Sequence, residues 1–260
     1  MRFDEQELAI RQRLKDDFAH YAAKCLTIRP KDSRPIQLVL NAAQLHIHAQ
    51  AESQREKTGR VRAIVLKGRQ QGCSTYIEGR FYWLTTHHRG RRAFILAHEQ
   101  EASNNLFEMA QRYHDNCPQI VRPSTGAANA KELHFDALDS GYKVATAGTK
   151  AAGRSQTIQY FHGSEVAYWP FAESHASGVM QAIPDLPGTE VWLESTANGR
   201  GNYFHTQWKK AESGESDFIP IFVPWFWQPE YRKAPKDGQR LTDEEKELVR
   251  LYGLDEQQIA

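Results

Sequence analysis

The residues from Val65 to Thr75 combine the groups that a phosphate-binding site needs. This run, V-L-K-G-R-Q-Q-G-C-S-T, holds two glycines, two cations near its start and two hydroxyls at its end. A short β-branched run precedes it and a helical run follows, so the pattern predicts a loop between a strand and a helix. Backbone N–H groups at a helix N-terminus attract phosphate, and a serine hydroxyl there can reach Mg²⁺.

The lysine of the usual phosphate-loop pattern is absent from its expected position in this loop. In the G-x-x-x-x-G-K-[ST] pattern a lysine precedes the serine, but here Cys73 precedes Ser74. Because such a loop curls around a phosphate, Lys67 at its beginning can reach the same space, and Arg69 provides a second cation. The alternative is a strand-to-helix turn that binds nothing. The predicted nucleotide-binding residues of the loop are Lys67, Gly68, Arg69, Gln70, Gln71, Gly72, Cys73, Ser74 and Thr75, with Ser74 as a metal ligand.

The thiol of Cys73 carries a prediction of its own. A cysteine at a helix N-terminus is expected to have a lowered pKa and therefore a reactive thiolate. We expect alkylation of Cys73 to block nucleotide binding, and bound nucleotide to protect the thiol.

Two further polar motifs follow predicted strands. Glu165 closes an apolar strand, where a carboxylate can polarise a water molecule for attack on a γ-phosphate, and we expect that strand to lie beside the loop strand. Ser164 takes the place of a second acid. The later run 194–199 carries Ser195, Thr196 and Asn198, which could sense the γ-phosphate. The alternatives are a surface glutamate capping a turn and an ordinary Asn-Gly turn.

Strands that alternate with helices favour a parallel sheet between helical layers. Ligands bind such sheets beyond the carboxyl ends of the strands, which is where all three polar motifs lie. The predicted strands cover 61–66, 92–97, 157–161, 190–193 and 218–223, with a hairpin of 133–135 and 142–146. The predicted helices cover 4–24, 41–51, 76–84, 101–117 and 243–252, with a polar loop before Gly59.

Composition sets broad limits. The chain has 260 residues, 40% hydrophobic and 25% charged, with a net charge of +1, which is typical of a globular protein without a nucleic-acid signal in its total charge. The three dispersed cysteines fit a reducing compartment, and no Cys/His spacing predicts a zinc site. We expect no membrane span and no secretion signal. For the cluster Trp225-Phe226-Trp227, we expect hydrophobic packing rather than stacking on bases or docking of a partner.

Together, these residues resemble the ATPase domain of the large terminase subunit, the genome-packaging motor of tailed bacteriophages. The resemblance covers roughly residues 36–200, in order. L-N-A-A-Q at 40–44 is similar to the family's adenine-reading motif, and K-G-R-Q-Q-G-C-S-T at 67–75 resembles its deviant Walker A motif. G-S-E-V-A-Y-W at 163–169 resembles its Walker B end, and S-T-A-N-G at 195–199 its coupling motif.

The resemblance implies a role for each matched residue. Gln44 would contact the base, Glu165 would be the catalytic glutamate and, with Ser74, a metal ligand. Arg69 would act on the phosphates in cis. Arg154, in the loop before the Walker B strand, would be offered to the ATP of a neighbouring subunit. Ser164 stands where the family usually has the aspartate that reaches Mg²⁺ through water.

The implied fold is an additional-strand, RecA-like, three-layer P-loop ATPase fold. It has a mainly parallel central sheet flanked by helices, and a small C-terminal lid or linker region. We expect an N-terminal helical segment at 1–35, the ATPase core at 36–215 and the lid or linker at 216–260. A helix start at Asp255 indicates that the chain stops near a domain boundary, before the family's nuclease domain, so no nuclease activity is expected.

The implied function is hydrolysis of ATP with Mg²⁺ to drive double-stranded DNA into a procapsid. The implied partners are the portal protein, the procapsid and the small terminase subunit. The implied assembly is a homo-oligomeric ring, a pentamer, on the portal, and a monomer in isolation. The expected location is the host cytoplasm.

Two other hypotheses remain open on the sequence. The first is a helicase-type translocase, which needs a second RecA-like lobe or a partner subunit. The second is a degenerate, non-hydrolysing nucleotide-binding or DNA-binding module, in which Cys73 and Ser164 reflect decay. The basic cluster Arg89, Arg91 and Arg92 is a candidate DNA contact, with a solvated edge as its alternative.

Overall fold

The computed structural model describes residues 4–30, 34–126, 131–148, 156–235 and 240–259. Its helices are α1 (Glu5–Asp16), α2 (Phe18–Cys25), α3 (Ala42–Thr58), α4 (Cys73–His87), α5 (Gln100–Asn116), α6 (Ala172–Met180), α7 (Tyr203–Glu212), α8 (Asp243–Tyr252) and α9 (Glu256–Ile259). Its strands are β1 (Thr27–Ile28), β2 (Ile36–Gln37), β3 (Val61–Lys67), β4 (Arg92–Ala97), β5 (Glu132–Phe135), β6 (Ser140–Thr146), β7 (Tyr160–Ser164), β8 (Glu190–Ser195) and β9 (Ile219–Val223).

Seven of these strands form the central sheet, in the order β5-β6-β4-β7-β8-β3-β9. Only the β5–β6 hairpin is antiparallel; every other neighbouring pair is parallel. The predicted parallel sheet and its hairpin are therefore confirmed. The small pair β1–β2 lies outside this sheet.

Helices cover both faces of the sheet, because its strands are apolar on both sides. Along β3, Ala63 and Val65 belong to a core shared with α1 to α5, whereas Ile64 belongs to a second core under α6 and α7. This alternation is the period of two expected for a strand buried on both faces. The result is three layers, with the carboxyl ends of the parallel strands on one edge.

Local signals explain where several elements begin and end. The region 4–24 was expected to be one helix, but Asp17 ends α1 and its side chain accepts a hydrogen bond from His20 N at the start of α2. The polar loop expected before Gly59 is helical instead, since α3 runs to Thr58 and Gly59 caps it at φ 75°. Thr242 and Glu245 form a capping box at the start of α8, where a helix over 243–252 was predicted.

The strand order corrects one expectation. The strand that ends before Glu165 was expected beside the loop strand, but β3 pairs with β8 and β9, and β7 pairs with β4 and β8. One strand, β8, therefore separates the two motifs. Chain alternation predicts a parallel sheet but leaves its strand order open, because a crossover can skip a neighbour. The intervening strand places a buried carboxylate, that of Glu194, between the two motifs.

Candidate functional site

A cavity of about 650 Å³ opens at the carboxyl edge of the sheet. Its polar wall includes Gln44, Lys67, Ser74 and Glu165, so the structure brings together residues from three predicted motifs. Apolar side chains also line the cavity, among them Ile28, Leu38, Leu106 and Met109. A cavity of this volume is typical of a small-molecule site.

Lys67 lies at the centre of the polar wall. Its Nζ is 2.8 Å from Glu165 Oε1 and 2.9 Å from Glu194 Oε2, and its side chain is almost fully buried. Burial disfavours the charged lysine, but attraction by Glu194 and Glu165 outweighs it and raises the pKa of Lys67 above its ordinary value. The cation predicted to replace the missing loop lysine is therefore buried, charged and paired with two carboxylates.

Glu194 is a site residue that the sequence did not single out. It lies on β8 with no exposed surface, and its Oε1 accepts hydrogen bonds from Ser74 Oγ at 2.9 Å and Ser164 Oγ at 2.8 Å. Burial favours its neutral form, but Lys67 and His162 outweigh this and hold the pKa of Glu194 well below its usual range. The signal available in the sequence was an acid directly after the apolar run V-W-L at 191–193.

A second buried carboxylate lies behind this one. His162 Nδ1 is 2.5 Å from Glu78 Oε1 and His162 Nε2 is 3.4 Å from Glu194 Oε1. All three side chains are fully buried. Burial would lower the pKa of His162, but its interactions with Glu194 and Glu78 raise it to about 9. Each ring nitrogen faces a carboxylate, so the imidazole is doubly protonated at neutral pH.

Side-chain amides hold the loop in place. Gln44 Nε2 donates to Gly72 O at 2.9 Å, and Gln71 Nε2 donates to Trp225 O at 3.0 Å. Gln228 Nε2 donates to Gln70 O at 2.6 Å. The bonds from Gln44 and Gln228 use loop carbonyl groups and leave the N–H groups at the start of α4 available to an anion.

Gln44 has both halves of its amide engaged. Besides its bond to Gly72, its Oε1 accepts from Asn41 N at 3.0 Å in the capping box of α3. It lines the cavity but is only 3% exposed. Its contact with a base stays a prediction, and in this structure Gln44 fixes the position of Gly72.

Glu165 is oriented by the residues of the predicted coupling run. Its Oε2 accepts from Thr196 N at 3.2 Å and from Ser195 Oγ at 3.3 Å. Glu165 itself adopts left-handed backbone angles, φ 53° and ψ 47°, which cost a non-glycine residue roughly 1–2 kcal/mol. Asn198 Nδ2 donates to Ala167 O at 3.0 Å and so holds the turn that follows Glu165.

The predicted reactivity of Cys73 is wrong. The side chain begins α4 as expected, but the residue is 1% exposed. Burial, reinforced by the charge of Glu194, raises the pKa of the Cys73 thiol to about 12 instead of lowering it. The N-terminus of α4 does favour a thiolate, but the cost of burying the thiolate charge exceeds this attraction. Alkylation of the folded protein at Cys73 is not expected.

The arginines that the sequence singled out do not all lie at the cavity. Arg69 is exposed at the mouth of a neighbouring cavity of about 330 Å³ that Lys67, Glu165 and Thr196 also line. Arg154 lies outside the described residues. Among Arg89, Arg91 and Arg92, the last pairs with Asp139 at 2.9 Å. Arg89 and Arg91 precede β4 and Arg92 begins it, so the cluster lies at the amino end of this strand, and its role as a DNA contact stays a prediction.

The polar wall suits a hard cation held together with phosphate. Ser74 offers a hydroxyl and Glu194 a buried carboxylate 2.9 Å away, and oxygen ligands of this kind are those that Mg²⁺ accepts beside phosphate. The ammonium of Lys67 already occupies a cation position between Glu194 and Glu165. Among the described residues, no group of three or more His, Cys, Asp or Glu side chains converges on a metal position.

The sheet order, the glycine-containing loop before α4 and the cavity beyond the carboxyl ends define a three-layer α/β fold of the P-loop ATPase kind. No protein-family model matches the sequence, and no curated protein matches it. Within the ranges that the structure covers, no helix is long and apolar enough to cross a bilayer.

Solved structures of phage large terminases share this fold. The large terminase of bacteriophage HK97 matches with a TM-score of 0.66 at 13% identity, over 89% of this chain and 46% of that one. The large terminase ATPase domain of Thermus phage P74-26 matches with a TM-score of 0.59 at 17% identity, over 82% and 88%. A large terminase of a thermophilic bacteriophage in complex with ATP-gamma-S matches with a TM-score of 0.53 at 12% identity, over 82% and 49%. The chain thus spans about half the length of the HK97 protein.

Proposed function

We propose that this chain is the ATPase motor domain of a phage large terminase and that it hydrolyses ATP to drive double-stranded DNA into a procapsid. The proposal unites the four matched motifs with the shared fold. The observation that carries it is the position of Lys67: the cation from the start of the loop lies 2.8 Å from Glu165, beside the N-terminus of α4.

The triphosphate would lie along the polar wall. The N–H groups of the loop would donate to phosphate oxygens, and Lys67 would leave Glu165 and turn to the β- and γ-phosphates. Arg69, exposed at the adjoining cavity, would add a second cation. The apolar side chains of Leu106 and Met109 provide a surface against which an adenine ring can pack.

Glu165 would orient the attacking water and receive its proton. Release from Lys67 leaves Glu165 Oε1 without its cation, while Ser195 and Thr196 still hold Oε2. One carboxylate oxygen thus becomes a base while the other stays fixed. Bound Mg²⁺ would neutralise developing phosphate charge, with Ser74 among its ligands.

The contacts of Thr196 would link a change at the γ-phosphate to movement of two neighbouring segments. Thr196 Oγ1 lies 3.4 Å from Glu165 Oε2 and 3.3 Å from Tyr168 Oη. A change of charge at the γ-phosphate would therefore reach both the segment after β8 and the turn after β7. We propose that this change drives the translocation step.

The test compares nucleotide binding and hydrolysis in the chain and its variants. Glu165→Gln is expected to bind ATP and lose turnover by about 10²- to 10⁴-fold, because general-base assistance is removed. Lys67→Ala is expected to bind ATP about tenfold to a hundredfold more weakly, since a charge-assisted contact is lost. The control is Glu212→Gln on α7, whose partner is Lys209 outside the cavity.

Two outcomes contradict the proposal. Wild-type turnover in Glu165→Gln would remove the catalytic glutamate, and undiminished binding in Lys67→Ala would remove the relocated cation. Stimulation of turnover by double-stranded DNA and portal-bearing procapsids is expected. Stimulation by single strands, with strand separation, would indicate a helicase instead.

A further inference from the structure

Ser164, which precedes Glu165, stands where P-loop ATPases usually carry an acid, and the neighbouring strand β8 supplies the carboxylate of Glu194. In P-loop ATPases the loop serine or threonine shares the metal with an aspartate at the end of the Walker B strand. Here that strand ends at Ser164, and the residue in register with it on β8 is Glu194. Residues in register in a parallel pair point to the same face, and Ser164 Oγ donates to Glu194 Oε1 at 2.8 Å.

The carboxylate of Glu194 also faces the loop. The same oxygen accepts from Ser74 Oγ at 2.9 Å, and the other oxygen lies 2.9 Å from Lys67 Nζ. The Ser74 hydroxyl and the Lys67 ammonium are the groups that would have to move or exchange partners when a metal–nucleotide complex binds. A fully buried carboxylate needs a cation nearby, and in this structure Lys67, at 2.9 Å, and His162, at 3.4 Å, provide it.

We propose that Glu194 takes the place of the missing acid at position 164. Together with Ser74, it would anchor the Mg²⁺ of the bound nucleotide, and Lys67 holds that cation position when no nucleotide is present. This inference rests on the proposed ATPase function. Mg²⁺ would then take the place of Lys67 as the second cation beside Glu194, next to His162, when Lys67 turns to the phosphates.

Under this proposal, the residue types at positions 164 and 194 depend on each other. Moving the acid one strand sideways displaces it by about 4.8 Å, and the longer glutamate side chain offsets part of that displacement. A second acid at Ser164 would lie against the Glu194 carboxylate, and two adjacent carboxylates oppose each other's ionisation. One acid at either position therefore suffices, and an acid at both is unfavourable.

The experiment measures metal binding rather than turnover. Mn²⁺ is titrated into the chain in the presence of ATP-gamma-S, and bound Mn²⁺ is followed by electron paramagnetic resonance; nucleotide binding without metal is measured in EDTA. Glu194→Gln is expected to weaken Mn²⁺ binding at least tenfold. Its metal-free affinity for nucleotide is expected to stay within about threefold, or to rise because Lys67 is less tightly held. Glu212→Gln is the control.

Transplanting the acid gives the decisive comparison. The double variant Glu194→Gln with Ser164→Asp is expected to regain most of the Mn²⁺ affinity, because a single acid again faces Ser74. If Glu194→Gln does not fold, Glu194→Asp retains the charge but withdraws it by one methylene, and weaker Mn²⁺ binding is again expected.

The outcomes separate this inference from the function on which it rests. A wild-type chain that binds no nucleotide would refute the proposed function. A wild-type chain that binds metal and nucleotide, together with Glu194 variants of unchanged Mn²⁺ affinity, would refute only the role of Glu194.

Discussion

At the scale of single residues, chemistry alone allowed Lys67 to be predicted as the site's cation, but not Glu194 or His162. A loop motif is local, so its substitutions can be interpreted within ten residues. Contact of Glu194 with Ser74 and of His162 with Glu78 depends on strand order, which no local pattern specifies. The same limit explains the error at Cys73, whose burial depends on elements far along the chain.

The buried imidazolium predicts a pH dependence of folding stability. The pKa of His162 is about 9 in the folded chain, against roughly 6.5 when unfolded. A raised folded-state pKa stabilises fully below pH 6.5, and this contribution is lost as pH rises through about 9. We expect the free energy of unfolding to fall by on the order of 3 kcal/mol across this window through His162 alone.

Urea unfolding at several pH values checks this expectation. Because other groups titrate in the same window, the quantity to compare is the difference between wild type and His162→Gln. That difference should shrink as pH rises from 6.5 to 9. His20→Gln, on α2, is the control. A difference that is constant with pH would show that His162 is not protonated in the folded protein.

At the scale of elements, hydrophobic runs and turn residues allowed the strands and most helices to be predicted. The ends depended on tertiary contacts: β7 begins at Tyr160 rather than Thr157, and α4 begins at Cys73 rather than Tyr76. The region 216–260 was expected as a lid or linker, but β9, which lies within it, belongs to the sheet, next to β3. The position of the boundary near 216 remains a prediction.

The contact between the loop and the segment after β9 depends on Gly68. A Cβ at Gly68 would lie 2.8 Å from Trp225 Cα, a backbone atom that cannot easily shift. Gly68→Ala is expected to push the two segments apart and to destabilise the fold by about 1–3 kcal/mol. Nucleotide affinity should fall as well, because Gln71 would lose its bond to Trp225.

Thermal unfolding and nucleotide titration test this contact. The matched control is Gly141→Ala in β6, where the added Cβ meets its nearest neighbour, Arg92 Cδ, at an ordinary 3.4 Å. Equal stability and affinity in the Gly68 and Gly141 variants would show that the close approach does not hold the loop.

At the scale of the whole molecule, one edge of the sheet gathers every motif expected to touch nucleotide within the described residues. A parallel sheet places all its carboxyl ends on one side, so this convergence could be predicted before the strand order was known. The arrangement of chains in the assembly that we propose could not be predicted in this way, since it would depend on surfaces that leave no periodic pattern.

Assembly predicts complementation between two inactive variants. If Arg154 acts on the ATP of a neighbour, Arg154→Ala subunits keep a competent Glu165, and Glu165→Ala subunits keep a competent arginine. Mixing them is expected to restore part of the turnover, because a trans arginine contributes about 10³- to 10⁵-fold in rate. Phosphate release from the mixture, at concentrations that allow assembly, is the measurement. No gain over the separate variants would assign Arg154 another role.

The left-handed backbone at Glu165 sets stability against activity at a single position. Glycine or asparagine would occupy φ 53° with less strain than glutamate, but either would remove the carboxylate that pairs with the buried Lys67. Where the relief of strain exceeds the loss of this ion pair, variants screened only for heat resistance would lose the carboxylate and, with it, the proposed activity.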